Sequence, residues 1–543
     1  MPSESPFRAL AKATWRMTSA PLLIASSLAA QQASPPLYTD LGTHHKSVGT
    51  KVPAAQQYFD QGLRLVYGFN HAEAIRSFTR ATELDSTCAM CWWGIAYAYG
   101  PHVNAGMDSA SGVKAYEAAQ KAASLSRAAA PWQQAYISAV AARYEAVPPA
   151  ARAHLDSAYA RGMADVAKKY PKDLDASALY AESLMDLRPW NYWTPEGKPF
   201  PGTDEIVRRL ETVIKQNPQH PGACHYYIHA VEAVTPKLAI PCAERLAKLM
   251  PGVGHMVHMP AHIYVRVGRY GDAAQSNVHA IHTDETFIDG QKPVTVYSLA
   301  YYPHNIHFLA FVSTMAGRSA QALEASRTLI SKVNLDVARQ VPMLQEMVPY
   351  HVLTLTTFGR WDEILAQPLP PADIRMSYAM ATYARGVAYA AKGQMAEAAA
   401  ALDTIKAIDA ATPAEDPAKT AVSIATHALM AEIATRGGKP DEGIAHWQAA
   451  LKIEDAGLYF EPPKWYYPIR QSLGAALLKA GKPAEAEAVY REDLKRFPEN
   501  GWSLFGLAAA LKAQGKSGDA AAVDQRFKKA WTGADVTLTA SRF

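Results

Sequence analysis

Strand signals are almost absent from this chain of 543 residues, which excludes a sheet-based fold. Beyond the N-terminus no apolar run is long enough to cross a membrane, so no integral membrane segment is expected in the mature chain. The net charge of +4 is small for this length, and no Lys/Arg run or basic stripe with interleaved aromatics appears. That pattern gives no footprint for nucleic acid. HExxH, GxSxG, the P-loop and GxGxxG are all missing, so serine-hydrolase, ATPase and dinucleotide chemistry have no motif behind them. Cysteine is scarce, with four residues in all. Cys88-Ala-Met-Cys91 does not read as a haem attachment, because Trp92 stands where histidine is needed, and a zinc reading lacks a second CxxC. A local disulfide or two packed thiols remain open for Cys88 and Cys91. Cys224 and Cys242 fall on successive predicted helices and can also be bridged.

What is present is helix. Hydrophobic content is 49%, much of it alanine, which suits close helix packing. Segments such as GLRLVYGFNHAEAIRSFTRATELD, YARGVAYAAKGQMAEAAAAL and SLGAALLKAGKPAEAEAVYREDLKRFPEN share one plan. A helix with small and aromatic residues at fixed offsets meets a short turn and then a second helix. From Phe69, Gly393, Gly438, Gly481 and Gly515 the turn leads to a helix expected near Ala74, Ala398, Gly443, Ala486 and Ala520. With Gly62, Phe78, Ala81 and Trp92 in place, this resembles the tetratricopeptide repeat. The resemblance is strong over residues 54–100 and 375–530 and looser between. It implies an all-α fold, a tetratricopeptide-type α-solenoid of antiparallel helix hairpins. FDQGLRLVYGFNHAEAIRSF, HYYIHAVEA, HMPAHIYVRVGRY and YYPHNIHFLAF are also similar to a bacterial exported subgroup of these repeats with histidine-rich central units. That likeness implies a fold and not a reaction.

The organisation expected along the chain begins with an export signal over residues 1–33. Arg8, Lys12 and Arg16 form a basic region, PLLIASSLAA a short apolar core, and Ser27-Leu28-Ala29 a cleavage site, with Met17 as an alternative start. This places the chain in the periplasm or outside the cell. Residues 34–53 read as an N-terminal segment, 54–130 as N-terminal hairpins, and 131–215 as an irregular helical region with the Trp-rich loop 188–203. Residues 216–365 hold histidine-rich central helices, and 366–543 hold C-terminal repeats interrupted by the aromatic insertion 456–468.

Histidines return in one slot of the repeat. His255 and His258 lie 13 and 10 residues before Gly268, and His304 and His307 lie 13 and 10 before Gly317. Thirteen residues before Gly359 stands Glu346. His255, His258 and His262 are spaced to share a helix face, as are His225, His229 and Glu232 on the preceding hairpin. Neutral imidazole suits copper, iron or zinc, and an i, i+4 pair can chelate one ion. The expected metal ligands are therefore His225, His229, His255, His258, His262, His304 and His307. Glu182, Asp186, Glu232 and Glu346 are further candidate ligands or acid/base groups. Arg266, Trp190 and Trp193 are candidates for contacting a substrate. His71, His102, His154, His279, His282, His427 and His446 read as ordinary polar residues.

Three functions follow. The first is an exported solenoid whose concave groove binds a transition metal and serves as a metal-dependent enzyme, with oxidation and hydrolysis both open. The second is a scaffold holding a peptide or partner protein in its groove. The third is metal storage or delivery, which needs the same ligands and no pocket for a small-molecule substrate.

Overall fold

Each hairpin turn is built on one backbone device. The computed structural model describes residues 34–289, 295, 297–457 and 459–543; the expected export signal lies outside these. Where a first helix ends, one residue takes a positive φ and the next N–H donates back to a carbonyl five residues earlier. Arg269 N bonds Tyr264 O at 2.7 Å, Arg318 N bonds Ser313 O at 2.9 Å and Lys482 N bonds Leu477 O at 2.9 Å. The residue with positive φ is Gly268, Gly317 or Gly481 in these turns, as left-handed backbone favours glycine. The first turn makes the same bond from Asn70 N to Leu65 O at 2.9 Å, but its positive φ, 57°, belongs to Phe69.

The result is the tetratricopeptide-like repeat of antiparallel helix hairpins, with no named strand among the described residues. Second helices begin at His71, Met395, Pro440, Pro483 and Ser517, three residues before the positions expected from the alanine pattern. Those alanines mark the first inward-facing position, one turn inside the helix. Ala74, Ala398 and Ala486 are fully buried. Close packing fixes the pairing of the hairpins: a Cβ on Gly62 or on Gly94 would lie 2.6 or 2.5 Å from the Phe78 ring, which is clamped between these two glycines.

The superhelix closes on itself. Arg266 Nη1 donates to Arg496 O at 2.8 Å and Trp502 Nε1 to Thr314 O at 3.0 Å, bringing C-terminal repeats onto the central helices. The Asp535 carboxylate accepts from the N–H groups of Ser319 and Ala320 at 2.6 and 2.9 Å. From the other end, Gly252 N bonds Asp40 O at 2.8 Å, and Lys46 reaches Asp173 at 2.8 Å. The N-terminal segment thus straps the first hairpin to the helix Leu174–Met185. Both cysteine pairs, Cys88–Cys91 and Cys224–Cys242, are disulfides. Among the described residues no helix is long and apolar enough to cross a membrane.

This closure changes the setting of the central histidines. Repeat periodicity places them on the lining of an open groove, whereas His225, His229, His255, His258 and His262 are at most 3% exposed. The covering elements come from distant parts of the chain, which a local repeat pattern does not encode.

Candidate metal centre

The helix Pro221–Val231 carries His225 and His229. Its entry is fixed by His220, whose Nδ1 caps Ala223 N at 3.1 Å, and by Pro221 at the first helical position. The i, i+4 spacing puts both rings on one face. The next ligand segment is two short helices, Gly254–His258 and Pro260–Arg266, joined through Met259 in helical conformation. Pro260 lacks an N–H and so divides the run, yet His258 and His262 keep one face. The helix Tyr302–Met315 supplies His304.

Six imidazoles form two triads, His225–His229–His255 and His258–His262–His304. In the first, His225 Nε2 lies 3.2 Å from His229 Nε2 and 3.1 Å from His255 Nε2. In the second, His258 Nε2 lies 2.8 Å from His262 Nε2 and 3.1 Å from His304 Nε2. The triads follow one rule: an i, i+4 pair on one unit meets the imidazole thirteen residues before the glycine of the next unit's turn. A third copy of the rule falls on His307, Phe311 and Glu346, and phenylalanine at its second place ends the series.

In His225, His229, His258 and His262 the remaining ring nitrogen fixes the tautomer, whereas His255 Nδ1 is buried without a hydrogen-bond partner. His225 Nδ1–H donates to Tyr67 O at 2.6 Å, and His258 Nδ1–H to Asn277 Oδ1 at 2.7 Å, an oxygen oriented because Asn277 Nδ2 donates to Ala273 O. Glu232 serves both triads: Oε1 accepts from His229 Nδ1–H at 3.2 Å and Oε2 from His262 Nδ1–H at 2.6 Å. Such partners on the outer nitrogen are what orient ligating histidines. Neutral rings held this way present Nε2 lone pairs to one another. A proton on His262 can relieve the His258 contact. No such relief serves His225 and His229, whose outer N–H groups are both committed while burial disfavours their charged forms. Two lone pairs at 3.2 Å repel, and a cation bound by both converts the contact into attraction. Imidazoles on one ion at about 2.0–2.1 Å hold their nitrogens roughly 3.3–3.4 Å apart at a tetrahedral angle, close to the spacing found.

Electrostatics agree. Burial, then neighbouring rings, holds His225, His255 and His258 well below the ordinary histidine value, so each is a neutral donor near pH 7. Burial also works against charge on His262, but the Glu232 carboxylate and its hydrogen bond outweigh it and push this ring up. Burial alone raises Glu232, yet His262 and the two histidine hydrogen bonds pull it down to about 2.

Aromatic rings enclose the triads. Phe69 packs 4.5 Å from His225 and 5.6 Å from His255. Phe308 lies 5.0 Å from both His258 and His262. Phe69 thus holds a strained left-handed backbone, worth about 1–2 kcal/mol, where the later turns use glycine. The odd residue in this turn was visible in the sequence; its contact with the histidines was not. Asn277 and Phe308 gave no sequence signal.

The other candidates lie elsewhere or are already engaged. His307 sits outside both triads, its ring 4.1 Å from Tyr350. Glu346 is outside them too, with its carboxyl raised to about 7 by burial against the pull of Lys464. Glu182 accepts from Tyr97 Oη at 3.0 Å and Asp186 from Arg143 at 2.5 Å. Arg266 gives its guanidinium to the backbone carbonyls of Glu232, Ala233 and Arg496, which leaves no free fork for an anion. Trp190 packs 4.9 Å from His229, and Trp193 Nε1 donates to Ala230 O at 2.7 Å. The insertion 456–468 divides its roles. Tyr459 donates to Glu461 at 2.7 Å beside Glu232, while Trp465, Tyr466 and Tyr467 are buried in a seam with Tyr383.

Of the histidines read as ordinary, His154 pairs with Glu145, His279 with Gln275 and His427 with His446, while His71 packs 4.3 Å from His102. A third cluster, His44–Asp175–His220, was not expected. There Asp175 already accepts from Tyr67 Oη at 2.5 Å and His44 at 2.9 Å, with Lys46 Nζ at 3.4 Å. Because His220 uses Nδ1 as the helix cap, its Nε2 carries the proton. Lys46 supplies the charge that Asp175 pairs with, and the neutral His220 ring offers it an N–H and no lone pair, so the cluster is a structural hydrogen-bond network.

No family model matches the chain. No curated protein matches it either. Among solved structures it is similar to the human IFIT1 dimer with m7Gppp-AAAA, at 13% identity and a TM-score of 0.34 over 89% of this chain and 91% of that one. It is similar also to the human IFIT1 dimer with PPP-AAAA, at 13% identity and a TM-score of 0.33 over 86% and 88%. A likeness this loose carries nothing about the site, and the fold rests on the hairpins themselves.

Proposed function

We propose that this chain is an exported helical-repeat protein that binds two transition-metal ions, one in each histidine triad, and works as a metal-dependent enzyme. The observation that carries the reading is the His225–His229 contact, in which two Nε2 lone pairs face each other at 3.2 Å with both outer nitrogens committed. Copper, iron and zinc all accept imidazole. With three protein ligands, each ion keeps an open coordination position, the arrangement that catalytic sites share. The two disulfides support an oxidising compartment, in keeping with the periplasmic or secreted location read from residues 1–33. In this reading the units 54–130 and 366–543 are framework and 216–365 carries the chemistry.

The scaffold reading is weaker at this place, because buried imidazoles offer nothing to a peptide. The storage reading needs ions that leave, and rings closed in on every side but His304 oppose that. Elemental analysis of untagged protein tests the proposal. Two equivalents of transition metal are expected, falling to one in His225→Ala and in His258→Ala. Protein that retains no metal after loading with copper, iron or zinc rejects it.

A further inference from the structure

Resting on the two-ion reading, we infer that the centre is a copper(I) pair that takes up dioxygen between its ions. Charge comes first. All six donors are neutral imidazoles, and Glu232 is turned away from the ions toward the outer nitrogens of His229 and His262. Glu461, one hydrogen bond behind it through Tyr459, is the other carboxyl on this side. With Glu461 set beside the Arg266 guanidinium, Glu232 is the carboxylate left to offset the ions, so two dications leave a net charge of about +3 in the interior and two monocations about +1; uncompensated buried charge is costly. Of the metals that favour imidazole, copper is the one with an accessible monovalent state.

Geometry comes second. The triads are neighbours, with the rings of His229 and His262 6.0 Å apart and those of His255 and His258 also 6.0 Å apart. Bridging requires ions about 3.5–4 Å apart, the spacing at which two metals share one small ligand, and three nitrogens per ion leave a position for it.

Enclosure comes third. Phe69 and Phe308 wall the two triads, Tyr301 packs 4.7 Å from His255, and His304 is the one ligand with partial exposure. A small uncharged molecule enters such a space without a desolvation penalty, and a hydrated anion does not. The step balances: each copper(I) gives one electron, dioxygen accepts the two and becomes bound peroxide, and both ions become copper(II). Because dioxygen arrives neutral, the net charge of the buried site does not change.

The test uses untagged full-length protein loaded without air with two equivalents of copper(I), then mixed with oxygenated buffer. About one dioxygen per copper pair should be consumed, with a near-ultraviolet absorption band that fades when oxygen is withdrawn. Two coppers retained without oxygen uptake overturn this inference and leave the two-ion reading intact. Zinc held at two equivalents where copper is not held overturns the copper assignment alone. Loss of every metal overturns the two-ion reading itself. His304→Ala should keep the first ion and lose uptake roughly tenfold or more; undiminished uptake there overturns the bridging geometry.

Discussion

The C-terminal repeats and the central units put different chemistry into the same slot. Thirteen and ten residues before the turn glycine stand Met380 and Tyr383, Ala425 and Ala428, or Trp502 and Phe505 in the C-terminal repeats. In the two central units the same positions hold His255 with His258 and His304 with His307. The slot is interior in both regions: Met380 and Tyr383 are 2% exposed and His255 and His258 no more than that, while Phe505 and His304 are half-buried. The hairpin therefore does not change to make a site. It supplies interior positions that face the neighbouring units. Packing residues there build a core, and imidazoles there build a ligand set, provided that partners such as Asn277 on a second helix and Glu232 at the end of the ligand helix meet the outer nitrogens.

Breaking the comparison from the central side should have the largest effect. His258→Ala removes a ligand of the second triad, and metal content should fall by one equivalent, with residual affinity for that ion down by on the order of a hundredfold or more. Circular dichroism of the metal-free variant should show unchanged helicity and a melting temperature close to that of the parent. A metal-free variant that melts as early as a packing variant would mean that the histidines belong to the framework.

The next effect belongs to the C-terminal repeats. Asp493 is buried, accepting from Ser503 Oγ at 2.5 Å and Asn500 Nδ2 at 3.1 Å, and burial raises it to about 6 against those hydrogen bonds. The folded chain then holds a proton that the unfolded chain, with an ordinary value near 3.8, has released. Between these values the native state binds more protons, so stability falls as pH rises from about 4 to 6, by up to about 3 kcal/mol for this group. Thermal melts of Asp493→Asn should be flatter over that window than melts of the parent, with metal content unaltered. An equal slope in both assigns the pH response to other groups.

The smallest effects compare the framework with itself. Gly62→Leu drives a side chain into the Phe78 ring and should cost about 1–3 kcal/mol. Gly481→Ala meets open space but keeps a φ of +72°, and should cost about 1 kcal/mol through the backbone alone. Chemical denaturation orders the two, and neither should move metal stoichiometry.

Hairpins are legible in this sequence because their causes are local: glycine at the left-handed turn position, alanine one turn into the second helix, aromatics at fixed offsets. The i, i+4 histidine pairs are legible for the same reason. Which imidazole joins which pair is not. His304 serves the preceding unit's pair, not its neighbour His307, because the superhelix offsets successive units. Closure is also beyond local reading, since Trp502 meets Thr314, and Tyr67 meets His225, across long stretches of chain. Arg266 shows the limit in one residue. A charge one turn after His262 reads as a hold for a substrate anion, yet the folded chain spends its donors on carbonyls that only closure brings near.

Glu232 ties the two halves of the centre into a single thermodynamic unit. One carboxylate already orients a ring in each triad, so a change at this residue reaches both ions at once. Glu232→Ala should therefore weaken both sites together, where loss of a single ligand weakens one.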